Sequence, residues 1–381
     1  ASRSNAVGLL KEELRRLGSA LMGAADGTAV PAGRALAVDR GSFSRRVEHA
    51  IAGAPGLVVE RRLAAGLPAA GPVIVATGPL TEGPLLEDLA RHGAWLHYHD
   101  AIAPLVGADG IDRSVVFAAD RYEQAGAGAA YLNCPFDREG YHRFVAELVA
   151  ADRTPLRGFE AAPFFEGCLP VEEMAARGPE TLAHGPLKPV GLTDPRTGRW
   201  PYAVVQLRPE DAAKSAYNLV GFQTRLTRPE QRRVFRTIPG LERATFERYG
   251  QVHRNTFVDA PRVLDDRLRL VGRTDVRLAG QLTGVEGYVE SIASGLLAGL
   301  FTAAEVLGVE LALPPASTAI GGLLRHTRRA GEYQPSNVVW AMIECPPRGR
   351  GQGKREHRED CAARALSDLD AWIAAHPALF G

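Results

Sequence analysis

Lysine is nearly absent. It stands only at positions 11, 188, 214 and 354 of a chain that carries 45 basic residues. Alanine is abundant beside the arginine, so the bias reads as that of a GC-rich genome, without functional weight. Four cysteines (Cys134, Cys168, Cys345, Cys361) occur without any CxxC pairing. That argues against a zinc centre and a disulfide framework, and places the chain in a reducing cytoplasm. No apolar run reaches the roughly 20 residues that cross a bilayer, and no basic-then-apolar leader opens the chain. A net charge of +1 exerts no global pull on polyanions. The G-x-G-x-x-G fingerprint of dinucleotide folds is missing too. The chain opens without methionine at "ASRSNAVGLLKEEL", already in a loop running into a helix, so the natural N-terminus, and with it the fingerprint, is expected upstream of Ala1.

What is present has an order. The 381 residues, 45% hydrophobic and 23% charged, are ordinary for a soluble protein and too many for one core, so two domains are expected. Leu9, Leu10, Glu13, Leu14, Leu17 and Leu21 recur at helical spacing and predict one amphipathic helix. "ALAVDRGSFSRRVEHAI" predicts a short strand, a turn and a helix from near Ser42. "LVVERRLA" reads as a strand, and "PVIVATGPLTEGPLLEDLARHG" as a buried strand, a Gly-Pro turn and a helix. Strands alternating with helices point to a parallel, doubly wound sheet.

From about Trp95 the texture changes. Short strand-like stretches separated by Pro/Gly turns, among them "LVGADGIDRSVVFAADRY" and "AYNLVGFQTRLT", predict a mainly antiparallel sheet with helices near 137–151 and 229–237. The α/β texture returns at "DVRLAGQLTGVEGYVESIASGLLAGLFTAAEVLG", and the charged stretch after Pro314–Pro315 reads as solvated loop and helix. The expected division is therefore 1–95 with 255–381, and an inserted domain over 96–254.

Two segments of the α/β part suit a nucleotide. "VIVATGP" ends a strand in Ala76, Thr77 and Gly78, and ligands of such folds sit beyond the carboxyl ends of parallel strands, where small residues admit a close approach. After "VRLAG", Gly280, Gly284, Val285, Glu286, Gly287 and Tyr288 form a glycine-marked turn into a helix. The amide donors at a helix start suit a pyrophosphate or the edge of a flavin ring. Close helix–sheet packing accounts for the small residues inside the helix equally well.

"YLNCPFDREGYHRF", "FFEGCLPVEEMAARG", "GPLKPVGLTDPRTGRWPYAVVQLR", "NLVGFQT", "IPGLERATFERYGQVHRNTF" and "GQLTGVEGYVESIASGLLAGL" resemble, in order and over nearly the whole chain to about Glu344, the folate- and flavin-dependent tRNA uracil-5-methyltransferases, the TrmFO family. The family's glycine fingerprint and its Cys-Ser-Asn-Ser stretch have no counterpart in this chain. The resemblance implies a doubly wound, glutathione-reductase-like FAD-binding domain with an inserted α+β domain that is sheet-rich and binds substrate and tRNA. It further implies methylation of C5 of the T-loop uridine (uridine-54), giving ribothymidine. The carbon would come from methylenetetrahydrofolate, the cofactor would be FAD and the reductant NAD(P)H. The partners would be the tRNA T-arm and the folate, with no membrane and no obligate protein partner. Two rival expectations are a wobble-uridine-modifying flavoprotein of the related larger family, and a non-catalytic RNA-binding remnant.

C5 of uracil is a poor nucleophile until a thiolate adds at C6. Cys168 matches the family's cysteine in the FFEGC block and is the expected nucleophile; a lone cysteine is otherwise most often a small buried hydrophobe. Glu172 and Glu173 beside it face away, shuttle protons or bind the base. His253, Arg254, Asn255 and Thr256 either recognise a flat heterocycle, the pterin or the uracil, or form a domain-junction network. Tyr288 either stacks at the flavin edge or packs in the core. Asp39 and Arg40 either reach the ADP half of FAD or pair with each other. Arg228, Arg232 and Arg233, in an arginine-rich stretch, either face tRNA phosphates or form a solvated surface.

Overall fold

The computed structural model describes residues 5–31, 35–93, 95–121, 129–155, 164, 169–211, 213–329, 331 and 333–380. In chain order come helices α1 (Ala6–Arg16) and α2 (Ala20–Asp26), strands β1 (Ala29–Val30) and β2 (Ala37–Val38), helix α3 (Arg40–Ala52), strand β3 (Val73–Val75) and helix α4 (Pro84–Ala90). Strands β4 (Trp95–Ile102), β5 (Leu105–Gly107), β6 (Phe117–Ala118) and β7 (Leu132–Phe136) follow, then helices α5 (Arg138–Ala150), α6 (Val171–Ala176) and α7 (Thr181–His184). Next are β8 (Ala203–Pro209), β9 (Ala216–Leu219), α8 (Arg228–Phe235), β10 (Phe246–Arg248), β11 (Gln251–Val258) and α9 (Ala260–Val263). The chain closes with β12 (Arg269–Leu270), β13 (Arg273–Leu278), α10 (Tyr288–Leu307), α11 (Ala319–His326), α12 (Lys354–Ala374) and α13 (Pro377–Phe380).

The chain divides into two compact units, Ala1–Gly27 with Arg45–His97 and Asn255–Gly381, and Thr28–Ser44 with Tyr98–Arg254. The expected division had put all of 1–95 together; the β1–β2 hairpin and the start of α3 are grouped with the second unit.

In the first unit β13 lies parallel to β3, with Val276 opposite Val73 and Leu278 opposite Val75, and β12 flanks β13 antiparallel. Only Val75 of β3 is buried, and Ile74 is exposed, so this strand is less enclosed than its apolar text predicts. α1 packs on α2, α10, α11 and α12, burying Leu9, Leu10 and Leu14. The single helix expected over 9–21 is two: α1 stops at Leu17, the chain turns at Gly18 (φ +70), and the Ser19 side chain accepts the amide of Met22 to start α2. Residues 57–64, expected as a strand, have no strand partner among the described residues, and Val58 and Leu63 are exposed. α10 is long and apolar enough to cross a membrane by length and composition alone, yet Ala293, Leu297, Ala298 and Phe301 are buried within the unit.

In the second unit six strands form one sheet in the order β10-β5-β9-β8-β7-β6, with antiparallel neighbours throughout. Helices α5 and α8 pair aromatic side chains with its loops: Phe144 meets Phe222 at 6.0 Å and Phe222 meets Phe235 at 5.4 Å. Asp137 caps α5 by accepting the amide of Gly140 at 2.7 Å, which fixes where the helix begins.

Candidate active site

The parallel pairing of β3 with β13 brings two of the predicted segments to one edge. The amide of Ala279 donates to the carbonyl of Val75 at 2.9 Å, so Ala76–Gly78 and the turn from Gly280 leave the sheet side by side. Gly78 and Gly280 both hold positive φ; a Cβ at Gly78 would meet nothing within 4 Å, and one at Gly280 would touch the Ser291 side chain at 3.8 Å. Thr81 closes the first turn, its Oγ1 donating to the Gly78 carbonyl at 2.7 Å. In the second, the Gly280 amide donates to Ser294 Oγ of α10 at 3.1 Å. α10 starts at Gly287 without a side-chain cap, and the first-turn amides of any helix lack an intrahelical acceptor.

Positive φ at Gly284 and Gly287 is required twice over. A Cβ at Gly284 would lie 2.4 Å from the Tyr333 ring, and one at Gly287 2.5 Å from Glu290 Oε2. Between them, Glu286 is buried, and each of its carboxylate oxygens accepts from Gln281 Nε2 at 3.0 Å. Burial also pushes the Glu290 carboxyl above its ordinary range. Tyr288 is 92% exposed, which removes core packing as its role and leaves an aromatic face open at the helix start.

Two strand ends that turn at glycine, beside a helix start without a side-chain cap, fit the pyrophosphate and ring edge of a bound dinucleotide. The polar run before this unit resolves in part. Thr256 is buried, donates its amide to the Pro79 carbonyl at 2.8 Å and shares a hydrogen bond with His97 Nδ1 at 3.1 Å. Asn255 is buried as well, whereas Arg254 is exposed and His253 half-buried.

In the second unit, Asp39 caps α3, accepting the amide of Ser42 at 2.8 Å, and Arg40 pairs with Glu210. Cys168 lies outside the described residues; the chain resumes at Leu169. Glu172 is fully buried, accepting Thr224 Oγ1 at 2.8 Å and the Arg225 amide at 2.7 Å, and burial raises its pKa. Glu173 takes the Arg225 guanidinium at 2.6 Å. Both carboxylates thus have committed partners that anchor α6. The arginine stretch divides as well. Arg233 is bound to Glu230 at 2.7 Å and to Glu147. Arg228 and Arg232 are exposed and lie over the Tyr249 ring at 5.7 and 6.0 Å, and that ring stacks on Phe246 at 5.2 Å.

The family profile described as glucose inhibited division protein A matches residues 1–310. The methylenetetrahydrofolate–tRNA-(uracil-5-)-methyltransferase TrmFO of Geobacter sulfurreducens is 54% identical over 376 residues, covering 98% of this chain and 86% of the relative. That of Anaeromyxobacter dehalogenans is 53% identical over 381 residues, covering 98% and 84%. The chain belongs to the TrmFO family. Among solved structures, GidA of Aquifex aeolicus superposes with a TM-score of 0.67 at 15% identity, over 96% of this chain and 65% of GidA. A second crystal form gives 0.66 over 96% and 68%. At that identity the likeness carries the fold alone: the α/β, doubly wound architecture with a sheet-rich insertion.

No sequence pattern pointed to the segment Tyr333–Val338, which lies along the glycine turn: the Tyr333 hydroxyl donates to the Thr283 carbonyl at 2.6 Å, and Asn337 Nδ2 to the Glu286 carbonyl at 2.7 Å. "YQPSNV" carries a Pro-Ser-Asn turn signal, the one feature that marked it as something other than helix.

Proposed function

We propose that this chain methylates C5 of the T-loop uridine of tRNA, with methylenetetrahydrofolate as carbon donor, FAD as cofactor and NAD(P)H as reductant, in the cytoplasm. The observation that carries the reading is identity above half across 98% of the chain to relatives named for that reaction. FAD, when bound, supplies the reducing equivalents that convert a methylene group into a methyl group.

The remaining chemistry belongs to side chains. The Cys168 thiolate adds to C6 of the uracil, and the C5–C6 π electrons move onto the ring carbonyl as an enolate. C5 is then a carbon nucleophile; it bonds to the methylene carbon and loses its proton, the bond from that carbon to its carrier nitrogen breaks with the electron pair going to nitrogen, and a hydride equivalent from the reductant completes the methyl group as the thiolate leaves from C6. Ala76, Thr77 and Gly78, with Gly280, Gly287 and the exposed Tyr288, line the flavin edge, and the buried Gly284, Val285 and Glu286 shape the turn behind it. His253 and Arg254, the accessible members of the run, serve the heterocycle, and Asn255 and Thr256 are buried, Thr256 bonded to Pro79 and His97. Arg228 and Arg232, presented over Tyr249, meet the RNA, where guanidinium forks bind phosphate and aromatic faces stack on bases. Arg233, held by two carboxylates, contributes less.

The test is a T-loop transcript lacking ribothymidine, incubated with the flavin-loaded protein, methylenetetrahydrofolate and NAD(P)H, then digested and weighed by mass spectrometry. Ribothymidine at the T-loop uridine, lost when the folate is omitted, is the expected result. A folate-independent product, or a modified wobble uridine, contradicts the proposal.

A further inference from the structure

We infer that the segment Tyr333–Val338 is a brace that holds the glycine turn in its flavin-receiving shape, with Asn337 as the positioning residue. The inference rests on the reading of that turn as part of the flavin site.

The turn from Gly280 to Gly287 contains three glycines at positive φ, and glycine gives up more conformational freedom on ordering than any other residue. Left to itself, such a segment samples many shapes, and a ligand that needs one of them loses affinity by the cost of selecting it. Here the selection is made by the brace. Ser336 pairs with Val285 as a parallel bridge: its amide donates to the Gly284 carbonyl at 3.2 Å, and its carbonyl accepts the Glu286 amide at 2.9 Å.

Three further bonds extend the seam in both directions. Tyr333 ties the Thr283 carbonyl at 2.6 Å, Asn337 Nδ2 ties the Glu286 carbonyl at 2.7 Å, and the Val338 amide reaches Glu290 Oε1 on α10 at 3.0 Å. The carbonyls of residues 283, 284 and 286 are therefore all turned toward the brace. A Cβ at Gly287 would stand 2.9 Å from Asn337 Nδ2, so this side chain both bonds the turn and sets the space beside its last glycine. Asn337 bonds, through its side chain, the peptide that precedes Gly287. It acts on the flavin through the turn, without touching it.

The experiment compares the full-length protein with Asn337→Ala, Asn337→Asp and Gly287→Ala, measuring FAD affinity by quenching of flavin fluorescence and the melting temperature of the flavin-free protein. The expected result is FAD binding weakened about tenfold in both Asn337 variants, the scale of one hydrogen bond, with flavin-free melting close to wild type. Asn337→Asp keeps the size and loses the donor, so it separates bonding from packing. Wild-type FAD affinity in both Asn337 variants, with Gly287→Ala impaired, overturns the brace while leaving the turn as the flavin site. Wild-type affinity in all three overturns the underlying flavin reading. A flavin-free melting loss that accounts for the whole change in affinity makes Asn337 a stability residue and overturns its positioning role.

Discussion

Glu13 shows how one side chain can be legible by position and illegible by role. It sits on the apolar stripe of α1, yet it is fully buried and accepts the amides of Ala319 and Ile320 at 2.7 and 2.8 Å, capping α11 from another helix. Burial raises its pKa from the ordinary 4.5 to about 7, against the lowering pull of those two amides. A folded pKa above the unfolded one contributes stability that is complete below pH 4.5 and is lost as the pH rises through 7. Thermal melts of the wild type should therefore fall across that window by an amount on the order of 3 kcal/mol, and Glu13→Gln should flatten the profile. An unchanged slope in Glu13→Gln would show that the carboxyl does not titrate there. The same contrast between position and role holds at Tyr288, whose place at a helix start was readable but whose exposure was not. It holds again for Asn337, because a brace built from backbone bonds leaves no periodicity in the text.

At the scale of elements, apolar pattern located most helices and the antiparallel strands, and failed where a partner decides the outcome. A run such as 57–64 has strand composition, but strand formation needs a neighbour with which to share hydrogen bonds. The break between α1 and α2 rests on one glycine and one serine, too little to interrupt a leucine stripe that continues in phase across them. For α8 the sequence showed the arginines but not their partners. The structure separates Arg233, bound by Glu147 and Glu230, from Arg228 and Arg232 over Tyr249. Changing Arg228 and Arg232 together to alanine should weaken tRNA binding and lower the slope of log affinity against log salt by roughly 2, since about one counterion is released per phosphate contact. Arg233→Ala should change the slope little. Equal effects of the single Arg233 change and the pair, in filter binding over a salt series, would contradict this division of the helix.

Over the whole molecule, what was legible was the change of texture: strand–helix alternation, then short strands between Pro/Gly turns, then alternation again. The chain leaves the first unit after His97, two residues past Trp95, and returns at Asn255, well before the α/β texture resumes at Asp275. The two-residue strands β1 and β2 were too short to announce that Thr28–Ser44 belongs with the second unit. The account of the molecule as a methyltransferase turns on a thiolate at Cys168, because without addition at C6 the uracil C5 cannot attack. The most direct measurement is ribothymidine formation by flavin-loaded Cys168→Ala, with FAD content and its reduction by NAD(P)H followed in the same preparation. The account predicts normal loading and reduction with no ribothymidine, and no covalent complex with a 5-fluorouracil T-loop RNA that the wild type does trap. Substantial ribothymidine from a folded, flavin-loaded Cys168→Ala protein would contradict it.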